Sequence, residues 1–333
     1  MERCIEFKPL EPRLNGGLHG LFEECFGHSL DRAWWEWKYE KSPYKNGLNL
    51  VALVDGQLAG HYGAYQVKCE KGGSGQFWVN QIGDVMISPN FRGCGVGRSS
   101  LISRLTHEFY KVFCGGVAFN YGCPSERHAR LGKALLDYKV LEPIWIWELD
   151  FKGWDLPWRH KARCSIARSL HLLEVGKMSL SSECAKLYRQ LSPQFGLSIV
   201  KDTGYLKWRY EKRPGASYDT WGVKRAGRLR LWCVTKMVGN VLEVGDLFFS
   251  LEEPALLVCL LHYLRSFYPD KTIRLWANPH IVPFTKILKT IGFRPYPHPE
   301  RVYLTITLFD TKAFSESFVR DSFYYQAGDF DLF

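Results

Sequence analysis

The feature that most constrains the fold of this chain is an internal duplication. The segment DRAWWEWKYEKSP, residues 31–43, aligns without a gap with DTGYLKWRYEKRP, residues 202–214. Gly56 and Gly227 keep the same spacing from these two segments, and each is typical of a hairpin turn between alternating strands. Further along the chain, IGDVM pairs with VGDLF. The sequence therefore predicts two homologous modules that follow one another.

Each module is predicted to be a mixed β-sheet with helices packed on it, which gives an α/β (α+β mixed sheet) fold class. Hydrophobic periodicity predicts the elements of the first module in this order: strands near 48–54, 57–68 and 76–88, a helix at 96–111, a strand at 115–121, a helix at 125–136 and a last strand at 141–151. The second module repeats this order. The predicted division is a first domain at 1–151, a helical connector at 152–196, a second domain at 197–309 and a tail at 310–333.

Composition limits the class of protein. The 333 residues are 46% hydrophobic, which is enough for one large domain or two of ordinary size. The longest apolar run, Ala255–Leu261, is much shorter than the roughly 20 residues of a membrane-spanning helix. The ten cysteines show no CxxC pair and no zinc-ligand spacing. We therefore expect a soluble, cytoplasmic protein with reduced thiols, no bound metal and no membrane insertion.

The stretch ISPNFRGCGVGRSS, residues 87–100, predicts an anion-binding loop. It lies between a predicted strand and an amphipathic helix, so the free amides and positive dipole end of that helix face the loop. Gly93, Gly95 and Gly97 allow a ligand to approach the main chain because no Cβ intervenes. Arg92 and Arg98 supply positive charge for a phosphate. The alternative is a flexible connection between a strand and a helix.

Two common phosphate-binding motifs do not fit this loop. A Walker A loop has Lys before Ser or Thr, where this chain has Arg98, and its glycines are spaced differently. A dinucleotide-binding fold has an acidic residue at the end of the next strand, and the neighbours of Val117 supply none. Both interpretations are therefore excluded.

The pattern from Ile87 through Pro89 to Arg92-x-x-Gly95-x-Gly97 resembles the motif of the GNAT superfamily of acyl-CoA-dependent N-acyltransferases. The element order around it is also similar to that superfamily. Over most of the chain the layout resembles the tandem group, with two fused copies as in mycothiol synthase and the Fem-type transferases.

The resemblance implies which residues bind acetyl-CoA or another acyl-CoA as co-substrate. The backbone of Val85, Met86 and Ile87 is expected to hydrogen-bond the pantetheine arm, with Met86 near the thioester. The pyrophosphate is expected to be held by the residues of the glycine-rich loop: Arg92, Gly93, Cys94, Gly95, Val96, Gly97 and Arg98.

The second module differs at the equivalent loop. After VGDLFF its helix begins with Glu252, Glu253 and Pro254, and two carboxylates at a helix start repel a phosphate. We therefore predict that only the first module binds the acyl donor. The second module either closes a cleft over the acceptor or has a purely structural role.

Candidates for acid–base catalysis are few. Asp84 is a candidate general base or a residue that orients a water, and the alternative is a carboxylate that fixes a loop. The matching Asp246 in the second module favours that structural alternative. The tyrosine that this family often uses as general acid is missing, since Lys133 stands at its spacing. Tyr121 is the nearest substitute, although an aromatic residue there is also typical of packing.

Other features have a structural as well as a functional interpretation. Trp37 and Trp208 recur at matching positions, which favours core residues that fix a helix to a sheet over sugar-stacking residues. His128 and Cys123 lack a third partner, so a nucleophilic Cys/His pair is not predicted. A basic run in the connector is either a solvated surface or a contact for a cofactor phosphate or an acidic acceptor: Arg159, His160, Lys161 and Arg163.

The expected function is transfer of an acetyl or other acyl group from acyl-CoA to a primary amine of a small metabolite, with amino sugars as the first acceptor class by family analogy. One alternative is a Fem-like aminoacyl transferase that uses charged tRNA, which the net charge of +10 favours slightly. Another is a non-catalytic acyl-CoA-binding protein with a double GNAT fold. A third is a GNAT-fold protein that uses the thioester for other chemistry, such as decarboxylation.

Overall fold

Two mixed β-sheets, each with helices packed on it, form the body of the protein and confirm the predicted fold class. The computed structural model describes residues 3–11, 14–154 and 173–333. The basic run of the connector, Arg159, His160, Lys161 and Arg163, lies outside the described residues. Within the described ranges, no helix combines the length and the apolar character needed to cross a membrane.

The first half of the chain builds most of the first sheet. Its elements are, in order, β1 (Ile5–Pro9), α1 (Asn15–Phe26), α2 (Arg32–Trp35) with a π-helical turn (Glu36–Glu40), β2 (Leu48–Val54), β3 (Gln57–Glu70), β4 (Gln76–Ile87), α3 (Leu101–Phe113), β5 (Val117–Gly122), α4 (Glu126–Leu135), β6 (Lys139–Pro143) and β7 (Trp145–Asp150).

The second half begins with a strand and a helix and then repeats this order. Its elements are β8 (Leu173–Lys177), α5 (Ser182–Leu191), β9 (Ser198–Ile199), α6 (Thr203–Leu206) with a π-helical turn (Lys207–Glu211), β10 (Asp219–Arg225), β11 (Arg228–Val238), β12 (Val241–Phe249), α7 (Pro254–Phe267), β13 (Thr272–Trp276), α8 (Val282–Ile291), β14 (Arg294–Pro297), β15 (Tyr303–Leu308) and α9 (Glu316–Ser322).

Helix α3 shows how the sequence pattern produces the packing. Leu101, Leu105 and Phe109 recur every four residues and form one buried stripe in a core cluster with residues of β2 and β3. The helix begins at Leu101 rather than near residue 96, because a separate 3-10 turn occupies Gly97–Ser99. This arrangement places the glycine-rich loop directly at the N-terminus of the helix.

The two sheets exchange a strand. In the first sheet the order is β1-β2-β3-β4-β5-β15-β6, with β9 paired to β3, and in the second it is β14-β7-β13-β12-β11-β10-β8. Strand β15 of the second half therefore lies between β5 and β6, and β7 of the first half pairs with β13 and β14. Each sheet contains chain from both predicted domains. The division of domains along the sequence remains a prediction.

This exchange corrects the prediction of one last strand at 141–151. The segment is two strands in different sheets, separated at Ile144. The Ile144 amide donates to the carbonyl of Val302 at 2.9 Å, and its own carbonyl accepts from His298 at 2.7 Å. The alternation of residues indicated a strand correctly, but it carries no information on which distant strand each part pairs with.

The repeated WKY and WRY segments meet at the junction of the two modules. Trp37 Nε1 donates to the carbonyl of Trp208 at 2.7 Å, and Trp208 Nε1 donates to the carbonyl of Trp37 at 2.8 Å. The two indole rings stack at 4.7 Å with an interplanar angle of 11°. Identical contacts in both directions indicate a pseudo-two-fold relation between the modules. Both tryptophans are core residues, as predicted, and they join one module to the other.

Candidate functional site

The first module contains a cleft where β4 and β5 separate. These parallel strands pair from Trp78 opposite Val117 to Gln81 opposite Tyr121, and beyond Gln81 strand β4 continues to Ile87 without β5. A β-bulge at Asp84 marks the separation, since Asp84 has a positive φ of 51°. The edge of β4 from residue 82 to 87 therefore faces a gap in the sheet instead of a neighbouring strand.

The glycine-rich loop lies beyond the end of β4. Gly95 has a φ of 78°, and a Cβ placed on it would lie 2.2 Å from the carbonyl oxygen of Ser99, so no larger residue fits there without a main-chain shift. Ser100 precedes the first residue of α3, but its side chain does not cap the helix. Its Oγ is buried and has no hydrogen-bond partner within the described residues. The loop and the helix start thus leave polar groups that a bound anion can satisfy.

A groove of about 970 Å³ runs along this part of the first module. Its floor includes Val85, Met86 and Ile87 of β4. Its charged lining is mostly basic and consists of Arg92, Arg127, Arg130 and Arg301, together with Glu126. Glu126 forms an ion pair with Arg130 at 2.5 Å. The sequence analysis did not identify Arg127, Arg130 or Arg301, and Arg301 could not be assigned to this groove from sequence because it precedes β15, the strand exchanged from the second half.

Of the two arginines that were predicted to bind phosphate, one lines the groove and the other lies outside it. Arg92 lines the groove, and its Nε donates to the carbonyl of Ile87 at 3.2 Å. Arg98 is exposed and pairs with Asp137 at 3.1 Å, outside the lining of the groove. Between them, the predicted loop residues Gly93, Cys94, Gly95, Val96 and Gly97 form the turn itself.

The groove adjoins a cavity of about 320 Å³ beside the gap between β4 and β5. Groove and cavity share four lining residues: Phe26, Val85, Ser125 and His128. Both predicted catalytic residues, Asp84 and Tyr121, line the cavity. A second carboxylate in the lining, that of Asp331, belongs to the tail and was not predicted.

Asp84 is held in place by two donors. Its Oδ2 accepts from Lys38 Nζ at 2.7 Å and from the Tyr39 hydroxyl at 2.5 Å. The ammonium of Lys38 is fully buried, which alone would lower its pKa, but Asp331 and Asp84 raise that pKa above its ordinary value. In the second module Asp246 accepts from Tyr210 at 2.6 Å in the equivalent contact. The Asp–Tyr contact is therefore a structural element of both modules, but only Asp84 also lines a cavity.

Tyr121 has its hydroxyl directed into the protein. The hydroxyl donates to the carbonyl of Asp329 at 2.9 Å, and burial raises the pKa of the phenol well above its ordinary value. Its proton is thus engaged by the main chain of the tail. Tyr138, which also lines the cavity, shares a hydrogen bond of 2.9 Å with the Tyr62 hydroxyl.

His128 was considered from the sequence only as part of a pair with Cys123, and its position at the site was not predicted. It lies on the first turn of α4, where groove and cavity meet, and its ring is 5.9 Å from that of Tyr138. Within the described ranges, neither ring nitrogen has a hydrogen-bond partner. Burial lowers the pKa of His128 below 6.5, so the ring is neutral at physiological pH and can accept a proton. The sequence showed a histidine after the strand, but gave no indication that it faces the gap.

The equivalent cleft of the second module is filled by the tail of the chain. Strands β12 and β13 pair from Val241 to Val244 and then separate, as β4 and β5 do. Past this point the Leu247 amide donates to Gln326 Oε1 at 2.7 Å, and the Leu247 carbonyl accepts from the Tyr324 hydroxyl at 2.9 Å. Leu247 occupies the position of Val85 in the aligned GDL and GDV segments. Both of its main-chain groups are therefore used by the tail.

Two further observations distinguish this second cleft from the first. A Cβ on Gly245 would lie 2.3 Å from the ring of Phe333, so the tail packs directly against the strand. At the start of α7, Glu253 forms ion pairs with Arg225 and with Arg230. An acidic residue thus stands where the first module has its glycine-rich loop.

Comparisons with known proteins agree with this architecture. Residues 8–129 match the family model described as acetyltransferase (GNAT) domain. The chain contains a GNAT domain. This finding confirms the resemblance drawn from the glycine-rich motif. A comparison with curated proteins finds no match.

Three solved structures share the GNAT fold with this chain. A probable N-acyltransferase from Enterococcus faecalis V583 is 14% identical, with a TM-score of 0.64 over 93% of this chain and 73% of its own. GCN5-related N-acetyltransferases from Anabaena variabilis and from Kribbella flavida are each 12% identical, with TM-scores of 0.63. They cover 91% and 93% of this chain and 72% of their own length. The likeness in fold thus extends over both modules.

Proposed function

We propose that the protein is an N-acyltransferase that moves an acetyl or other acyl group from acyl-CoA to a primary amine of a small molecule. The observation that carries this proposal is the open path in the first module, from a basic groove to a cavity lined by Asp84 and His128. A path of this kind suits a co-substrate with phosphates at one end and a reactive group at the other. The GNAT domain at residues 8–129 supports the same function.

The groove fits the charge and shape of a CoA thioester. The main chain at Gly93 and Gly97, where an added Cβ would meet no protein atom within 4 Å, would hold the pyrophosphate together with the orphaned Ser100 Oγ and the start of α3. Arg92 lies beside them in the groove. The edge of β4 from Val85 to Ile87, which does not pair with β5, would hold the pantetheine arm as an added strand does. When bound, acyl-CoA supplies an acyl group activated as a thioester.

The side chains of the cavity supply the proton chemistry. The amine must lose a proton during attack on the acyl carbon, and a neutral ring nitrogen of His128 can accept that proton. The carboxylate of Asp84 is held by hydrogen bonds from Lys38 and Tyr39, so in this proposal it orients the amine or a water and is not the general base. Tyr121 has its hydroxyl bound to the main chain and, in this proposal, shapes the wall of the cavity.

Calorimetry with acetyl-CoA tests the proposal directly. We expect the wild-type protein to bind with a dissociation constant on the order of 1 μM, which corresponds to about −8 kcal/mol. The Arg92→Glu variant should lose on the order of 100-fold in affinity, because it replaces an attractive charge in the groove with a repulsive one.

A matched control is Arg228→Glu, which reverses an equally exposed charge in the second module and should leave the affinity unchanged. Longer acyl-CoAs and charged tRNA, titrated in the same way, define the donor. A wild-type protein that binds none of the thioesters would contradict the proposed function.

A further inference from the structure

Resting on the proposed function, we propose that Asp331 of the tail binds the amino group of the acceptor. The acceptor is then a small cationic amine with no carboxylate next to the reacting nitrogen. Asp331 thereby acts as a specificity-determining residue, delivered from the end of the chain into the cavity of the first module.

The position of Asp331 follows from its contacts. Its Oδ2 forms an ion pair with Lys38 Nζ, and its Oδ1 accepts from Gln81 Nε2 at 3.3 Å. The side chain keeps 14% of its surface exposed, and it lies in the lining of the cavity. Asp84 pairs with the same Lys38 and keeps 10% of its surface exposed. Two carboxylates thus border the cavity and share one buried ammonium.

Most other polar groups in the cavity wall already have partners. The Tyr121 hydroxyl donates to the carbonyl of Asp329, and Thr305 Oγ1 donates to the carbonyl of Gly122 at 3.3 Å. The Tyr138 hydroxyl is hydrogen-bonded to another tyrosine. The groups that retain free capacity to accept hydrogen bonds include the carboxylate oxygens of Asp84 and Asp331, the amide oxygen of Gln81 and a ring nitrogen of His128. Such a site fits a ligand that is rich in donors.

Gln81 gives independent evidence for such a ligand. The side chain is 1% exposed and lines the cavity, and its Nε2 donates to the carbonyl of Ile82 at 2.9 Å and to Asp331. These two contacts fix which end of the amide is the nitrogen. The remaining Oε1 is buried and has no partner in the part of the chain that the structure describes. A buried acceptor without a donor is costly, and an amine N–H beside Asp331 would satisfy it.

The charges around the cavity favour a cation. The charged side chains that line it are the carboxylates of Asp84 and Asp331, and both pair with the ammonium of Lys38 behind the wall. Burial alone would raise the pKa of Asp331, but the Lys38 ammonium, followed by the guanidinium groups of Arg213 and Arg209, holds that pKa below its ordinary range, so the residue stays ionised. Arg213 donates to the main-chain carbonyl of Asp331 at 3.0 Å, and it does not line the cavity.

The same charges disfavour an acceptor with a carboxylate beside its amine. In an α-amino acid that carboxylate would be brought close to Asp331 and Asp84, where like charges repel. An amine that has given up one proton still has N–H donors for Gln81 and Asp331. The contacts therefore persist as the amine becomes the nucleophile.

The test compares amines with their parent amino acids, using thiol release from acetyl-CoA at neutral pH. The probe pairs are tyramine and tyrosine, cadaverine and lysine, and agmatine and arginine. We expect the wild-type protein to prefer an amine over its amino acid by at least about tenfold in kcat/KM, which corresponds to about 1.4 kcal/mol. Asp331→Asn keeps the size of the side chain and should raise the KM for the amine about tenfold, with the KM for acetyl-CoA unchanged.

Two further variants separate recognition from folding. Gln81→Met removes the orphaned oxygen without changing the charge and should also raise the KM for the amine. Asp329→Asn removes a buried carboxylate from the same tail, where it pairs with Lys201 away from the cavity lining. It should lower thermal stability but leave the ratio of amine to amino acid unchanged.

The outcomes are distinguishable. If acetyl-CoA does not bind the wild-type protein, the proposed function fails and takes this inference with it. If acetyl-CoA binds but no amine of the panel is acetylated, the inference is overturned. It is equally overturned if a folded Asp331→Asn variant keeps the wild-type KM for the amine and the wild-type preference over the amino acid.

Discussion

The cleft of the first module and the cleft of the second arise from the same strand geometry, but the first is open and the second is filled. In both modules a pair of parallel strands separates after a few residues. In the first, the gap leads to a basic groove and a cavity. In the second, residues of the tail fill the gap and bind both main-chain groups of Leu247. The protein itself thus satisfies the polar edge of the separated strand in the second module, and in the proposed function a ligand satisfies it in the first.

The comparison also gives the tail a double role. Its aromatic residues close the second cleft, with Tyr324 stacked on Phe195 at 3.8 Å. The same segment then carries Asp331 into the cavity of the first module. The second module therefore anchors a segment that also lines the cavity of the first.

The largest effect is expected from emptying the second cleft. Phe333→Ala removes the ring that packs on Gly245, and a large-to-small change of this type costs about 3–5 kcal/mol. Urea unfolding should show this loss in the free energy of unfolding, while the affinity for acetyl-CoA stays the same. Phe267→Ala makes the same change at an exposed position and should cost far less. An undiminished stability in Phe333→Ala would show that the tail does not fill the cleft.

A smaller effect is expected from a substitution in the candidate site of the first module. His128→Ala should lower kcat about 100-fold, the usual contribution of a general base. Because burial lowers the pKa of His128, the wild-type rate should fall only as the pH drops below 6.5, where the ring becomes charged and can no longer accept a proton.

The pH profile distinguishes this histidine from other groups at the cavity. Asp84 and Asp331 face the same space, and Arg130 and Arg301 face the groove. The acidic limb should disappear in His128→Ala and persist in the control His19→Ala, which changes an exposed residue of α1. If the fall in rate at low pH persisted in His128→Ala, a different residue would be responsible for it.

The smallest effects come from a matched pair of tyrosines. Tyr210→Phe removes a donor from the fully buried Asp246 and should lower the free energy of unfolding by about 1–3 kcal/mol, with little effect on kcat. Tyr39→Phe removes the equivalent donor from Asp84 and should lower kcat/KM about tenfold, because Asp84 lines the cavity. Equal effects of both variants on stability and on rate would contradict the functional difference between the modules.

The sequence predicted the parts of this protein that depend on local pattern. The duplication, the order of elements and the glycine-rich turn before α3 follow from periodicity and glycine spacing, and anion binding by that turn stays a prediction. Gly95 was predicted to be a position where a Cβ does not fit, but the atom that excludes the Cβ is the carbonyl oxygen of Ser99 and not a ligand atom.

The parts that were not predicted depend on contacts between distant residues. Nothing near Asp331 in the sequence indicates that it reaches Lys38, and nothing in β6 or β7 indicates that the two strands belong to different sheets. The aromatic tail has the composition of a core segment, but composition does not say which cleft it fills. His128 was noted in the sequence, but its proposed role depends on the separation of β4 and β5, which the sequence does not reveal.

The central claim is that only the first cleft accepts acyl-CoA, and the stoichiometry of binding tests it most directly. Calorimetric titration of the wild-type protein with acetyl-CoA should give one site per chain, and Arg92→Glu should abolish that site. Two sites per chain, or one site that remains at full affinity in Arg92→Glu, would contradict the account.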